Sequence, residues 1–337
     1  MPRRRLGSFA AAAAVAILVS ACGGSNNALS PTTTTAPATT PTTTASGGVL
    51  HIAPAAFQLP APVSREVLLT DGHQLVALGG LDASKTSTAS VTSLDPASGA
   101  VHSFGSLTDP VHDSAGVYLG GRYLVIAGGD GTPPQRSTVQ ALPATGGASQ
   151  PIGNVAQPRA DHVAALVNGT MYVLGGGLEA TTLYTSVEAS TDGVTWRAAG
   201  TLAAPVRYPA VAVVNNAVYL FGGVTTAQGT DTTDIQRYDP ATNTTQIVGQ
   251  LPAPLSHATA VPLGDSVYLL GGFVNNAIST QVLRVQLPTA TVTPVGALPT
   301  PLSDAAAAVV NGVGYLVGGQ GSTSAPVTTV LALTLTH

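Results

Sequence analysis

The sequence predicts an all-β protein assembled from six consecutive repeats. A Gly-Gly pair that follows an apolar segment recurs six times along the chain. The pairs are Gly79-Gly80, Gly128-Gly129, Gly175-Gly176, Gly222-Gly223, Gly271-Gly272 and Gly318-Gly319. The steps between them are 49, 47, 47, 49 and 47 residues. So constant a period is typical of repeat architectures, in which each unit buries its apolar face against the next unit.

Each repeat predicts four antiparallel strands. In the third repeat, the apolar segment 163–167 is followed by Asn168-Gly169 and then by the apolar segment 171–174. Asn-Gly is a strong signal for a two-residue hairpin, because both residues tolerate positive φ. Beyond the Gly pair, a polar loop precedes a predicted third strand over 186–190, and a short turn leads to a fourth strand over 195–199.

The same hairpin signal stands seven or eight residues before every Gly pair. The predicted turns are Asp71-Gly72, Gly120-Gly121, Asn168-Gly169, Asn215-Asn216, Gly264-Asp265 and Asn311-Gly312. In the fourth repeat, the third strand is predicted over 234–239 and the fourth strand over 245–248. Four antiparallel strands within 40 to 50 residues form one propeller blade. The sequence therefore predicts a six-bladed β-propeller.

The two ends of the repeat region predict how the ring closes. The last repeat ends after its third strand, over 327–333, and so lacks a fourth strand. Segment 57–62 matches segment 248–254, which follows a fourth strand in its own repeat. We therefore expect residues 49–59 to complete the last blade, which leaves few open sheet edges.

Tyrosines at a fixed offset add a family resemblance. The four that stand three residues before a Gly pair are Tyr172, Tyr219, Tyr268 and Tyr315. Tyr238-Asp239 lies in a predicted third strand and Trp196 in a predicted fourth strand. These features resemble the kelch repeat, and the resemblance covers about 85% of the chain. It implies a six-bladed kelch-type propeller over residues 49–337. The chain is a degenerate example, since aromatic residues make up only 4% of it.

One position in each repeat is a candidate for ligand contact. It lies three residues past the proline that ends each return segment, where the innermost strand begins. The residues there are Arg65, Asp113, Asp161, Tyr208, His257 and Asp304. The kelch resemblance implies that this position and the loop after the Gly pair line the ligand-contacting face. Ionisable neighbours in the same segments are Glu66, His112, Arg159, His162 and Arg207. We include Arg207 with the candidate binding rim.

The N-terminus predicts export and lipid anchoring. Arg3, Arg4 and Arg5 precede a short apolar run that ends in Val-Ser-Ala-Cys, with Cys22 last. The run is too short for a membrane-spanning helix, and its order resembles a bacterial lipoprotein signal. We predict a signal peptide over 1–21, a lipidated Cys22 and a Thr/Pro-rich tether over 22–48. The protein is then expected on the outer face of the bacterial cytoplasmic membrane, or in the periplasm or outer membrane of a diderm cell. The alternative is an ordinary cleaved signal with an incidental cysteine.

Charge and composition narrow the classes of function. Beyond residue 21, nine Lys and Arg residues face 16 Asp and Glu residues, a net charge of −7. No polybasic patch is present, so nucleic acid is not expected as a partner. Galactose oxidase shares kelch blades, but its Cys-Tyr cofactor needs a cysteine that the segment 49–337 does not contain. No cofactor is expected. No metal site is expected either, because the rim histidines and aspartates lack any recognised ligand spacing.

Three functions remain open at this point. The first is a membrane-anchored extracytoplasmic binding module whose polar rim contacts a glycan, cell-wall material or a protein. The second is a carbohydrate-active enzyme similar to the exported sialate mutarotase, in which Glu66 with Arg65 or Arg207 would supply acid–base chemistry. The third is a passive scaffold. The sequence favours the first, because a chain with only 8% charged residues gathers many of them near one rim.

Overall fold

A computed structural model describes residues 48–178 and 181–336, which form strands, turns and loops without any helix. The predicted signal peptide, Cys22 and all but the last residue of the predicted tether lie outside these residues. Within the described ranges, no helix has the length and apolar character needed to cross a membrane.

The first half of the chain builds blades 1 to 3, each counted from the central channel outward. Strand β1 (Val49–Pro54) stands apart, because it belongs to the last blade. Blade 1 contains β2 (Val67–Thr70), β3 (Leu75–Leu78), β4 (Ser90–Leu94) and β5 (Val101–Ser106). Blade 2 contains β6 (Ala115–Leu119), β7 (Arg122–Gly128) and β8 (Arg136–Pro143), then the short β9 (Gly147–Ala148) and its own outer strand β10 (Gln150–Asn154). Blade 3 contains β11 (Val163–Val167), β12 (Thr170–Leu174), the small hairpin β13 (Gly177–Leu178) and β14 (Thr182–Leu183), then β15 (Ser186–Ser190) and β16 (Arg197–Thr201).

The second half of the chain builds blades 4 to 6 on the same plan. Blade 4 contains β17 (Ala210–Val214), β18 (Ala217–Phe221), β19 (Asp234–Asp239) and β20 (Thr244–Gln250). Blade 5 contains β21 (Thr259–Leu263), β22 (Ser266–Leu270), the small hairpin β23 (Phe273–Val274) and β24 (Ala277–Ile278), then β25 (Gln281–Gln286) and β26 (Thr291–Ala297). Blade 6 contains β27 (Ala306–Val310), β28 (Val313–Val317) and β29 (Val330–Thr336), with β1 as its outer strand.

The closure predicted from the chain ends is confirmed. Strand β1 pairs antiparallel with β29 along its whole length, from Val49 opposite Thr336 to Pro54 opposite Leu331. The strand is shorter than the predicted 49–59, because the chain bends away from the sheet after Pro54. The N–H of Leu59 still donates to the carbonyl of Thr328 at 3.1 Å. The last blade is therefore built from both ends of the described chain.

The core lies between neighbouring blades rather than inside any one blade. Between blades 3 and 4, the fully buried Leu174 and Leu220 belong to the same apolar cluster. Tyr172 packs on Tyr238 with ring centroids 5.5 Å apart, and the Tyr238 hydroxyl donates to the carbonyl of Ala199 at 2.6 Å. Two of the tyrosines that carry the kelch resemblance therefore pack between blades 3 and 4, and one of them satisfies a backbone carbonyl there.

The Gly pairs fasten each blade to the next one. Gly222 has a φ of +62°, and a Cβ there would lie 2.1 Å from the carbonyl oxygen of Leu255. The N–H of Gly223 donates to that carbonyl at 2.7 Å. Because the backbones approach this closely and φ is positive, only glycine fits without displacement. The equivalent bond occurs at all six blade junctions.

Blade 2 departs from the sequence pattern by one residue. Its junction uses Ala127 (φ 55°) and Gly128 (φ 105°), whereas Gly129 does not have positive φ. A register shift between Ile126 and Gly128 accompanies this change. The Gly128-Gly129 pair is therefore displaced by one position from the structural repeat. This explains why the step from Gly79 to Gly128 is 49 residues and the step from Gly128 to Gly175 is 47 residues.

Three local features were not predicted. Strand β9 leaves blade 2 and pairs in parallel with β5, so that blade 1 has five strands. The small hairpins β13–β14 and β23–β24 extend blades 3 and 5. Trp196 stands just before β16 rather than inside it, and its indole N–H donates to the carbonyl of Gly193 at 3.2 Å.

Deletion of Val49–Pro54 tests the closure. We expect the midpoint of thermal unfolding to fall by at least about 5 °C and aggregation to increase, because β29 would lose its partner and expose an open edge. The measurement is calorimetry with light scattering. Val295→Ser, on the exposed face of β26, is the control and should leave the midpoint unchanged. Equal midpoints for the deletion and the parent chain would contradict this role of β1.

Candidate functional site

Six residues at one structural position form a closed ring at one end of the channel. These mouth-ring residues are Arg65, Asp113, Asp161, Tyr208, His257 and Asp304. Each has a positive φ, between 50° and 61°. The backbone N–H of each donates to the carbonyl of the mouth-ring residue in the preceding blade, at 2.9 to 3.2 Å. The bond from Arg65 to Asp304 closes the circle.

The residue before each mouth-ring residue explains why the backbone turns there. In every blade it forms an isolated antiparallel bridge with the residue that follows the junction glycines, as Arg207 does with Val224. The chain must then reverse direction to enter the innermost strand, and the left-handed conformation makes that turn. Asp and His are several-fold enriched in this conformation among non-glycine residues. The loops after the junction glycines therefore start beside the mouth ring.

Ion pairs link the mouth-ring side chains across blades. The Arg65 guanidinium lies between two carboxylates, with Nη1 2.9 Å from Asp113 Oδ2 and Nε 3.5 Å from Asp304 Oδ1. Arg207 Nε lies 3.0 Å from Asp161 Oδ2. Each aspartate of the ring therefore has an arginine beside it, and both guanidiniums already have anionic partners.

An aromatic stack occupies the fourth and fifth blades. The rings of Tyr208 and His257 stack with centroids 3.9 Å apart, and Phe273 packs edge-on against His257 at 5.1 Å. The guanidinium carbons of Arg65 and Arg207 lie 5.5 and 5.2 Å from the Tyr208 ring centroid. The stack holds Tyr208 within the ring of charges, where its hydroxyl lies 3.5 Å from Asp113 Oδ2.

Burial changes the acidity of these carboxyls. Burial, together with the neighbouring Asp113, raises the pKa of Asp161 to about 7 against the opposing effect of Arg207. Burial also raises the pKa of Asp304, while His257 and Arg65 oppose the change. Loss of hydration disfavours the ionised form, and the flanking cations compensate only in part.

The next residue along each innermost strand forms the floor of the mouth. Glu66, Ser114 and His162 lie there in blades 1 to 3, and Pro209, Ala258 and Ala305 in blades 4 to 6. Together with the mouth ring they enclose a cavity of about 150 Å³. The carboxyl oxygens of Glu66 and the ring nitrogens of His162 are shielded from solvent. The Glu66 carboxyl lies against Gly318, at the junction of blades 6 and 1. Burial raises the pKa of Glu66 well above its usual range and lowers the pKa of His162 to about 3, an effect that the nearby Arg159 increases.

Arg159 does not belong to this rim, which corrects its grouping with the rim segments. Its side chain is fully buried and pairs with Glu188. The same guanidinium donates to the carbonyl of Gly175 and to Ser186 Oγ, both at 3.0 Å. Arg159 therefore fastens the return segment of blade 3 to its third strand. His112 lies closer to the mouth, with Nε2 3.6 Å from Asp113 Oδ2, and burial lowers its pKa.

Below the floor, the channel becomes apolar. Three successive positions of every innermost strand line a cavity of about 430 Å³. The lining residues are 68–70, 116–118, 164–166, 211–213, 260–262 and 307–309. Apart from Thr70 and the Tyr118 hydroxyl, these side chains offer no group that could orient a polar ligand. The charged side chains that line the channel therefore lie at the mouth rather than in this apolar section.

Within residues 48–178 and 181–336, no three His, Cys, Asp or Glu side chains are placed to share a metal ion. The carboxylates of the mouth ring face arginines and histidines rather than a common centre.

Comparison with known families supports the repeat assignment. A family model described as the kelch motif matches residues 205–244. The match runs from the return segment of blade 4 through its Gly pair to the start of β20. The fold is a six-bladed kelch-type β-propeller. A search of curated proteins found no match to this kelch-type propeller.

The acidity of Asp161 predicts a specific pH effect. Its pKa of about 7 in the folded chain exceeds the value near 4 of an unfolded chain. The folded state thus holds an additional proton between these values, and the contribution of Asp161 to stability falls as the pH rises from about 4 to about 7.

The buried His162 acts in the opposite direction. Its folded pKa of about 3 lies below the value near 6.5 of an unfolded chain, so its contribution rises with pH over that interval. Both proteins contain His162, so its contribution cancels in a comparison. The measurement is therefore the difference in unfolding midpoint between Asp161→Asn and the parent chain. We expect the unfolding midpoint of Asp161→Asn to rise relative to that of the parent as the pH rises from about 4 to about 7. A difference that stays constant with pH would contradict the raised pKa.

Proposed function

We propose that this kelch-type propeller is an interaction module that binds the end of a glycan at its channel mouth. The observation that carries the proposal is that every blade directs one polar or ionisable side chain into one small cavity. A chain with so few charged residues gains nothing in stability from gathering them in a buried place, since buried ion pairs seldom outweigh their desolvation cost. A ligand is the simplest reason for the arrangement.

The size of the cavity supports recognition of an end group. Pockets that enclose a whole drug-sized ligand span roughly 300–1,000 Å³, whereas the mouth offers about 150 Å³. One sugar ring or one of its substituents enters, and the remainder of the ligand lies across the surrounding loops. These loops begin beside the mouth ring and are rich in Ser, Thr, Asn, Gln and Gly.

The distribution of apolar side chains favours a glycan over a protein ligand. Among the described residues, the exposed large apolar side chains are Val49, Val194, Ile247 and Val295. They lie on outer strands and on the β15–β16 turn rather than on the mouth loops. Protein interfaces depend on buried aromatic and apolar anchors. A hydroxyl-rich ligand needs paired donors and acceptors instead, which the Arg–Asp pairs supply.

Single substitutions at the mouth test this function. Arg207→Ala and His257→Ala should each weaken binding to a positive ligand from a glycan array by at least about tenfold, equal to about 1.4 kcal/mol. The first removes the partner of Asp161, and the second removes the support of the Tyr208 ring. Isothermal calorimetry gives the affinity.

The control for this experiment lies on the opposite face. Arg237 pairs with Asp239 at 3.1 Å, partly exposed to solvent, and Arg237→Ala should bind like the parent. If both mouth variants also bind like the parent, the mouth is not the binding site.

A carbohydrate-active enzyme is the second candidate, and one observation favours it. A carboxyl whose pKa lies near 7, as for Asp161, suits general acid–base catalysis at neutral pH. An acidic sugar such as sialate is a poor fit, because Arg65 and Arg207 already face aspartates. The calorimetric samples also test this candidate, since NMR of the sugar anomers in the same solution reads out turnover.

We also propose that Cys22 anchors the protein to the outer face of a bacterial membrane. The support is the order of arginines, apolar run and Val-Ser-Ala-Cys at the N-terminus. A Thr/Pro-rich tether would then hold the propeller away from the lipid surface. Fractionation of cells that express Cys22→Ser should move the protein from the membrane pellet to the soluble fraction, because the acyl chains would be missing. Thr44→Ser in the tether is the control, and an unchanged distribution of Cys22→Ser would contradict the anchor.

A further inference from the structure

Three blades use a polar side chain of their third strand to clamp the return segment that leads into them. In blade 2, Gln140 Oε1 accepts from the N–H of Asp109 at 2.9 Å, and Gln140 Nε2 donates to the carbonyl of the same residue at 3.0 Å. In blade 4, Gln236 bonds the N–H and the carbonyl of Ala204 in the same way, at 3.1 and 3.2 Å. A primary carboxamide suits this clamp, because it presents a carbonyl acceptor and two N–H donors.

In blade 3 a carboxylate takes this place, and a cation accompanies it. Glu188 accepts from the N–H of Ala156 at 2.7 Å and pairs with the buried Arg159. Blades 2 and 4 have valines where blade 3 has Arg159, namely Val111 and Val206. The third strand therefore carries a carboxamide beside valine and a carboxylate beside arginine.

Blade 1 has the same position but no side chain long enough to form the clamp. Thr92 on β4 pairs with Ala77 on β3, in the register that Gln140 and Gln236 have in their blades. Both residues are small, and a cavity of about 140 Å³ lies between them and segment 59–63. This volume exceeds what one ordered water molecule needs.

Blades 5 and 6 complete the same position with apolar side chains. Leu283 pairs with Leu269, and Leu331 pairs with Leu316. Leu283 is 3% exposed and Leu331 is 5% exposed, so both pack into the protein. Blade 1 has neither a carboxamide nor a leucine there, which makes its cavity a property of that blade rather than of the fold.

The cavity of blade 1 is lined by the groups that a carboxamide pairs with. Ala61 lines it and stands directly before a proline, as Asp109 and Ala204 do. Neither the N–H nor the carbonyl of Ala61 is hydrogen-bonded by another residue that the structure describes. Asp82 also lines the cavity, and its Oδ1 accepts from two N–H groups of its own loop at 2.8 and 3.0 Å. Oδ2 of the same carboxyl is the acceptor for the second N–H of a carboxamide.

We infer that the cavity of blade 1 binds a primary carboxamide supplied by another molecule, in the place that Gln140 and Gln236 fill in their own blades. A carboxylate would face Asp82 there without a cation, because Val63 occupies the position of Arg159. This cavity shares no lining residue with the mouth cavity. The inference therefore goes beyond the proposed glycan binding and does not depend on it.

Three small molecules test the chemistry of this site. Propionamide reproduces a glutamine side chain from Cβ outward, and propionate replaces its amide with a charge. N-methylpropionamide lacks one N–H donor, and its remaining N–H points away from the carbonyl oxygen because the amide is trans. NMR titration of the isotope-labelled full chain, followed at the N–H of Ala61, should show saturable binding of propionamide with a Kd on the order of 1–10 mM. Propionate and N-methylpropionamide should bind at least about tenfold more weakly.

Thr92→Gln is the decisive variant, because it supplies the carboxamide from the chain itself. It should abolish the binding of propionamide and raise the unfolding midpoint by about 2 °C, since it fills the cavity and adds hydrogen bonds. Thr92→Leu fills the cavity as blades 5 and 6 do and should also abolish binding, which keeps the test valid if Thr92→Gln folds poorly. Thr92→Ser leaves the cavity open and is the matched control that should bind like the parent.

Two capped amino acids identify the source of the carboxamide. N-acetylglutamine N-methylamide has a primary carboxamide only in its side chain, and the glutamate counterpart has none and should not bind. Tighter binding of the capped glutamine than of propionamide would assign the carboxamide to a protein side chain. Tighter binding of propionamide would assign it to a small amide.

The outcomes also define what would overturn the inference. Equal binding of propionamide and propionate, or no saturable binding of propionamide, would show that the cavity does not select a carboxamide. Binding that persists in both Thr92→Gln and Thr92→Leu would place the amide elsewhere and would overturn the site. None of these results bears on the mouth, which Arg207→Ala and His257→Ala test separately.

Discussion

The mouth of this propeller depends on a ring of six backbone hydrogen bonds, one from each blade to the blade before it. The bonds require six consecutive blades to present a left-handed residue at the same height, so they tie the geometry of each blade to that of its neighbours. They also satisfy the N–H and C=O groups that point around the channel. The polarity of the cavity therefore comes from side chains. Those side chains are not needed to complete the backbone hydrogen bonds of the ring.

The residues of the mouth ring could be predicted from the sequence, because their position along the channel follows from backbone spacing. Each return segment ends in a proline, and the turn into the innermost strand comes three residues later in all six blades. Counting from the proline worked even in blade 2, where the Gly pair is displaced by one residue. The Gly pair is a less reliable marker there because Ala127 adopts the left-handed conformation that glycine adopts elsewhere. A pattern of residue types cannot reveal such an exchange.

The pairing and acidity of the site could not be predicted, because they depend on side-chain paths that spacing does not determine. Arg159 occupies the position that Val206 has in the next blade, whereas Arg207 lies one residue further along its own return segment. Arg159 turns towards Glu188 on β15, a buried acceptor inside its own blade, and Arg207 turns towards Asp161. The sequence does not show which acceptor each guanidinium reaches. Strand β9 was missed for a related reason. Its pairing with β5 is a contact between blades, and no repeat period contains it.

The apolar channel below the mouth explains why a cluster with two arginines still contains carboxyls of raised pKa. Below the mouth ring, the next positions along all six innermost strands are mainly alanine, valine and leucine. The electric field of the carboxylates therefore acts through a medium of low polarity, which raises the free energy of the ionised form. Arg159 and Glu66 are two buried ionisable side chains that differ in how this free-energy cost is met. Arg159 is buried but fully bonded, so it stabilises its blade. Glu66 is equally buried, and burial raises the pKa of its carboxyl well above the usual range, which favours the neutral form.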